Sequence, residues 1–145
     1  MGDVHVNKNH MFSEVNLRSH GGNDGKLISI ESLTEQLPFE LKRIYYIFGV
    51  KKEIRRGFHA HKKLKQLLVC VSGSCEIELD DGIQKETVVL DSPATGLLIQ
   101  QPVWRELSNF SDGAVLLVLA SEHYDTEDYI WDYEEFRKFV SDGYV

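Results

Sequence analysis

Turn residues recur along this chain at about a strand's length, and that rhythm sets the fold class. "SHGGNDG" (19–25), Asp81–Gly82, "DSPATG" (91–96), Pro102 and "SDG" (111–113) each punctuate the sequence. Between them lie "KLISIES", the core Arg43–Phe48, "LKQLLVCVSG", "SCEIELDDG", "QKETVVL", "LLIQQ", "VWRELSNF" and "AVLLVLAS", short and rich in β-branched or aromatic residues. Strands at spacings of about 8–12 residues, closed by Gly, Asp or Pro, indicate an all-β sandwich or barrel. Asp81–Gly82 is a strong hairpin signal. One segment departs from the pattern. In 126–140 the apolar residues Tyr129, Trp131, Phe136, Phe139 and Val140 recur near helical spacing, and Thr126 precedes Glu127 and Asp128. A helix is expected there, packed outside the barrel.

At 145 residues with 42% apolar content, the chain is expected to be a single domain (1–145) with a real core. No linker or repeat divides it. Residues 1–13 read as a loosely attached arm and 19–25 as a loop, so 1–25 is an N-terminal arm and loop. A net charge of −7 disfavours nucleic acid over the general surface, so an anionic ligand needs a local basic pocket. No apolar run approaches the roughly 18 residues of a membrane span. The N-terminus lacks the apolar stretch of a signal peptide. Cys70 and Cys75, spaced C-x4-C, match no zinc pattern. A cytoplasmic protein without a membrane partner is expected.

The chemistry concentrates between Gly57 and Gly73, written G-F-H-A-H-x4-Q-x6-G. Residues two apart on a strand share a face, so His59 and His61 are expected to look into one cavity. The spacing resembles the first motif of the cupin barrels, H-x-H-x3–4-E-x6-G. In metal-binding cupins the two histidines, that glutamate and a later histidine hold an ion. Here Gln66, a neutral amide, stands at the glutamate position, and "QPVWRELSNF" offers Trp104 and Arg105 where the later histidine would come. A guanidinium cannot coordinate a metal, and half of a ligand set is a poor site. No metal and no cofactor are expected. The histidine pair suits proton transfer instead, because imidazole titrates near neutrality. Two solvated histidines on a strand are the plain alternative.

"KRIYYIFGV", "RRGFHAHKKLKQLLVCVSGSCEIELDDG", "LLIQQPVWRELSNFS" and "AVLLVLASEHYDTEDYIWDYEEF" together resemble the dTDP-4-keto-6-deoxyglucose 3,4-ketoisomerases, cupins of deoxysugar biosynthesis. The likeness runs from about Leu27 to Phe139. It implies a jelly-roll barrel and a dTDP-sugar substrate whose C4 ketone moves to C3 through an enediol, for a 3-amino-3,6-dideoxysugar of a cell-surface glycan. It implies His59 as the C3 base, with His61 as its partner and Tyr45 as a hydroxyl near the sugar. Tyr46 points to the opposite face by strand parity, and Arg43 shares Tyr45's face. Arg43, Arg56 and Arg105 are the candidate clamps for the pyrophosphate, since guanidinium forks match phosphate oxygens. Trp104 for base stacking, Lys65 and Gln66 complete the candidate substrate contacts. The resemblance also implies a homodimer, with N-terminal strands exchanged about 19–25. The competing readings are a dTDP-sugar epimerase on the same barrel and a non-catalytic nucleotide-sugar-binding cupin.

Overall fold

Alternating apolar and polar residues become two facing antiparallel sheets. The computed structural model describes residues 5–8 and 11–143. The strands are β1 (His5–Lys8), β2 (Ser13–Asn16), β3 (Ser19–Gly22), β4 (Gly25–Ile28), β5 (Arg43–Phe48), β6 (Arg56–His61) and β7 (Gln66–Ser72). They continue as β8 (Cys75–Asp80), β9 (Lys85–Leu90), β10 (Thr95–Ile99), β11 (Trp104–Ser108), β12 (Val115–Ala120) and β13 (Tyr129–Ile130), before helix α1 (Tyr133–Ser141). One sheet runs β1-β2-β10-β7-β12-β5, the other β13-β6-β11-β8-β9, and β3 pairs with β4 alone. This is the cupin jelly roll expected from the sequence.

The core lies between the sheets. Leu68, Cys70, Leu97, Ile99, Leu116 and Val118 come from one side, and Ile77, Leu79, Val88, Leu90 and Leu107 from the other. Burying each such side chain contributes about 1.5–3 kcal/mol relative to exposure. β7 is apolar on both faces for a reason. Leu67 and Val69 turn away from the core, beneath Leu37, Phe39 and neighbouring residues of the irregular segment before β5. On the outer face of the second sheet, Phe136 of α1 packs with Ala60, Trp104 and Ile130. Among the described residues no helix is long and apolar enough to cross a membrane.

Three expectations change. The helix expected over 126–140 begins only at Tyr133. Thr126–Asp128 is a 3-10 turn capped by the Asp125 side chain, and Tyr129–Ile130 pair with His61 and Ala60 of β6. Backbone pairing to the sheet overrides helical spacing there. The segment 19–25 is an ordered hairpin turning at Asn23–Asp24 rather than a loop. The N-terminal arm joins the large sheet, where β2 bonds to both β1 and β10. Met11, Phe12, Val15 and Leu17 are buried. Residues 1–4, 9 and 10 of that arm lie outside the described residues.

Candidate active site

A cavity of about 330 Å³ opens between the two sheets. Strand parity decides who reaches it. On β5, Arg43, Tyr45 and Ile47 face in, while Ile44, Tyr46 and Phe48 face out and are exposed. On β11, Arg105 and Leu107 face in. On β6 the alternation is interrupted. Arg105 pairs with His59 and Glu106 with Gly57, so Phe58 is one residue too many. Gly57 has φ +95° and Phe58 +55°, the geometry of a bulge. The bulge resets the alternation, and both Arg56 and His59 border the cavity.

His59 lines the cavity and His61 lies behind it, with ring centroids 4.9 Å apart and edge to face. His61 Nδ1 meets Asp128 Oδ2 at 3.1 Å. His61 Nε2 and His59 Nδ1 are buried without a hydrogen-bond partner. Burial, reinforced by the Arg105 charge, lowers the His59 pKa to about 4. Burial is also the main cause that holds His61 well below its ordinary value, followed by Arg105, His59 and Arg43. Asp128 pulls the other way, but a cationic His61 would bury an unbonded Nε2–H, which is costly. Both rings are therefore neutral at pH 7.

At the back of the cavity Gln66 and Arg105, and behind it His61, are at most 3% exposed. Arg105 Nε and Nη2 donate to the Val103 carbonyl at 3.2 and 3.1 Å, and Nη1 donates to Gln66 Oε1. A guanidinium can only donate, so the Gln66 oxygen must face it and the amide nitrogen must face away. That nitrogen donates to Tyr45 Oη at 2.8 Å. Tyr45 is thus an acceptor in this chain, and its own hydrogen is left to donate into the cavity. Burial raises the Tyr45 pKa, so it remains a phenol. Burial lowers that of Arg105 to about 10, which leaves it cationic at neutral pH. Gln66 spends its one good ligand atom on a cation, and Arg105 carries charge where a metal ligand would stand. The donor set does not fit a divalent ion.

An aromatic wall closes one side. Tyr129 and Trp131 stack at 4.6 Å and 7°. Tyr129 also lies 4.4 Å from the His61 ring, and Trp131 lies 5.4 Å from His59. Tyr124 flanks Tyr129 and faces the Arg43 guanidinium at 5.6 Å. Helical spacing hid these side chains. The period-two pair Tyr129 and Trp131, read as a strand, points to them.

Of the sequence candidates, Arg43, Tyr45, Arg56, His59, Gln66 and Arg105 line the cavity. Trp104 does not. Arg105 faces in, so its neighbour must face out, and Trp104 packs against Tyr133 and Phe136 while Nε1 donates to Glu106. Lys65 is also absent. The chain leaves β6 at His61 and re-enters the sheet at Gln66, so parity is not carried across, and the Lys65 amide ties to Ser121 Oγ at 2.8 Å. Arg55 pairs with Glu106 and Glu78 outside the cavity.

Residues 9–141 match the family model described as "FdtA: WxcM-like, C-terminal". The chain belongs to that family. A TDP-4-oxo-6-deoxy-alpha-D-glucose-3,4-oxoisomerase of Aneurinibacillus thermoaerophilus is 50% identical over 117 residues, covering 81% of this chain and 84% of the relative. The crystal structure of a 3,4-ketoisomerase from Helicobacter canadensis is 47% identical with a TM-score of 0.87, covering 91% of this chain and 99% of that one. QdtA of Thermoanaerobacterium thermosaccharolyticum, a sugar 3,4-ketoisomerase solved in complex with TDP, is 39% identical with a TM-score of 0.89, covering 94% and 98%. The two crystal structures thus share both the barrel and most of the chain's length.

Proposed function

We propose that this chain is a dTDP-4-keto-6-deoxyglucose 3,4-ketoisomerase, yielding a dTDP-3-keto-6-deoxyhexose. One observation carries the chemistry: a neutral, cavity-lining His59 faces the same space as the free hydrogen of Tyr45 and the buried cation Arg105. His59 removes the C3 proton. The developing oxyanion at O4 is held by the Tyr45 hydroxyl and the field of Arg105, donors fixed in place before charge develops. O4 gains a proton to form the enediol. Protonation at C4 and loss of the O3 proton then leave the ketone at C3, so the step consumes no oxidant. His61 backs His59. Arg43 and Arg56 take the pyrophosphate, and the apolar faces of Tyr129 and Trp131 suit a pyranose or a base. The C3 ketone is the group an aminotransferase needs to make a 3-amino-3,6-dideoxysugar.

Incubation with dTDP-4-keto-6-deoxyglucose in D2O, followed by NMR, tests this. Ketone migration with deuterium at C4 is expected. Exchange with inversion but no migration would make the chain an epimerase, and binding without exchange would make it a non-catalytic receptor. His59→Asn is expected to abolish migration while TDP still binds by calorimetry; full activity in that variant would remove His59 from the base role. Turnover should survive a chelator, and its loss with recovery on zinc or iron addition would overturn the metal-free reaction.

The two cysteines are free and buried, in keeping with a cytoplasmic setting. A homodimer is also proposed. Ile44, Tyr46 and Phe48 form an exposed apolar row on β5, at the sheet edge, a surface that isolated monomers seldom leave open. Exchange of N-terminal strands is the arrangement the family resemblance implies, and a sedimentation mass of one chain would refute the dimer.

A further inference from the structure

Asp128 is the one carboxylate in hydrogen-bond contact with the histidine pair among the described residues, and the reaction as drawn gives it no task. It sits at the end of the 3-10 turn and reaches back to the turn after β6. Its Oδ1 accepts from the Lys63 amide at 2.7 Å. Its Oδ2 accepts from the Leu64 amide at 3.3 Å and meets His61 Nδ1 at 3.1 Å. The Lys62 amide also donates to the Asp128 carbonyl at 2.9 Å. One residue therefore holds both the β6–β7 turn and the inner histidine.

We infer that Asp128 is a positioning residue that fixes His61 as its Nδ1–H tautomer, leaving Nε2 unprotonated beside the His59 and Tyr129 rings. A carboxylate can only accept, so the proton must be on Nδ1. His61 Nε2 is buried and unpartnered. In the Nδ1–H form that atom is a bare lone pair, and in the other tautomer it would be a buried donor with nothing to bond. The Asp128 contact selects the tautomer, and the unpartnered Nε2 agrees with it, since a buried lone pair is less costly than a buried orphan N–H. The ring that backs the base histidine, 4.9 Å away between centroids, thus spends its one N–H on Asp128. The role in turnover rests on the ketoisomerase reading, whereas the tautomer does not.

Asp128→Asn is the discriminating substitution. The asparagine oxygen keeps the short bond from the Lys63 amide, gives up the longer one from the Leu64 amide, and places its NH2 against His61 Nδ1. That ring must then accept at Nδ1 and carry its proton on Nε2. Long-range 1H–15N correlation spectra of the ligand-free protein read the tautomer directly. The native protein is expected to show His61 protonated at Nδ1, and the variant at Nε2. Turnover in the variant is expected to fall by about 10²–10⁴-fold, as wrong-tautomer substitutions do elsewhere, with KM for the nucleotide sugar changed less than about twofold. A native His61 protonated at Nε2, or at both nitrogens, overturns the inference even if the variant fails to fold. A tautomer switch with full turnover overturns the positioning role alone. A native protein that gives the expected spectrum yet moves no ketone removes the enzymatic reading and leaves the tautomer standing.

Discussion

His59 joins a solvent-facing cavity to a desolvating interior, and its proton affinity reports the balance. With the pKa lowered to about 4, the proposed base is unprotonated throughout the neutral range. The acid limb of kcat/KM should therefore fall near pH 4–5 rather than near the 6.5 of a solvated imidazole. A limb centred at 6.5 would show that the cavity does not desolvate the ring. Tyr45→Phe removes one donor from the developing oxyanion and should lower kcat by about 10²-fold. Steady-state turnover checks this, and an unchanged kcat would assign the oxyanion to Arg105 alone. At this scale part of the site is legible in the sequence, because period two puts Arg43 with Tyr45, whereas of the two histidines expected to share the cavity only His59 lines it and His61 lies behind. The same rule places Trp104 opposite Arg105, since adjacent residues of one strand cannot both face the cavity. Lys65 needed parity across a break in the strand, which no periodicity supplies. Asp128 was invisible because its partners lie more than sixty residues earlier.

The bulge in β6 is the element that places the site. A Cβ at Gly57 would lie 2.9 Å from both the Arg105 carbonyl oxygen and Leu107 Cδ1, at a φ of +95° that side chains rarely adopt. Gly57→Ala should destabilise the fold by about 1–3 kcal/mol or more, measured as a lower denaturant midpoint. It should also shift Arg56 and His59 relative to Arg105, so that turnover falls further than stability. An alanine variant with native stability and activity would mean that the bulge is not a constraint. Strand existence and hairpin turns were readable from composition, but the bulge was not, since "RGFHAH" scans equally well as plain alternation. The C-terminal helix was anticipated along its second half only. Its first half is claimed by Asp125 and by two rungs of pairing on β6, contacts that compete with helical spacing and win once the sheet exists.

At the scale of the whole molecule, keeping imidazoles neutral inside the barrel couples folding to acid. An unfolded His59 takes up a proton near pH 6.5, whereas the folded one resists until about 4. Between those values the unfolded state binds more protons, so stability is full above pH 6.5 and drains as pH falls toward 4. His61, shifted in the same direction by burial, adds to the effect. Urea midpoints should therefore drop steadily between pH 6.5 and 4.5, and His59→Asn should flatten the trend. A native midpoint independent of pH over that interval would contradict the buried neutral pair. The layered architecture, sheet against sheet with a helix on one outer face, followed from the turn rhythm.

The chain from Arg105 through Gln66 to Tyr45 has a further consequence. In a metal-dependent barrel the central positive charge is an exchangeable solute, subject to supply, competition and loss. Here it is covalent, singly charged and installed when the chain folds. Its strength is set by how well the barrel excludes water rather than by ion occupancy. A guanidinium at this point cannot be exchanged for another ion, and it cannot be lost without a change of sequence or the loss of the fold itself.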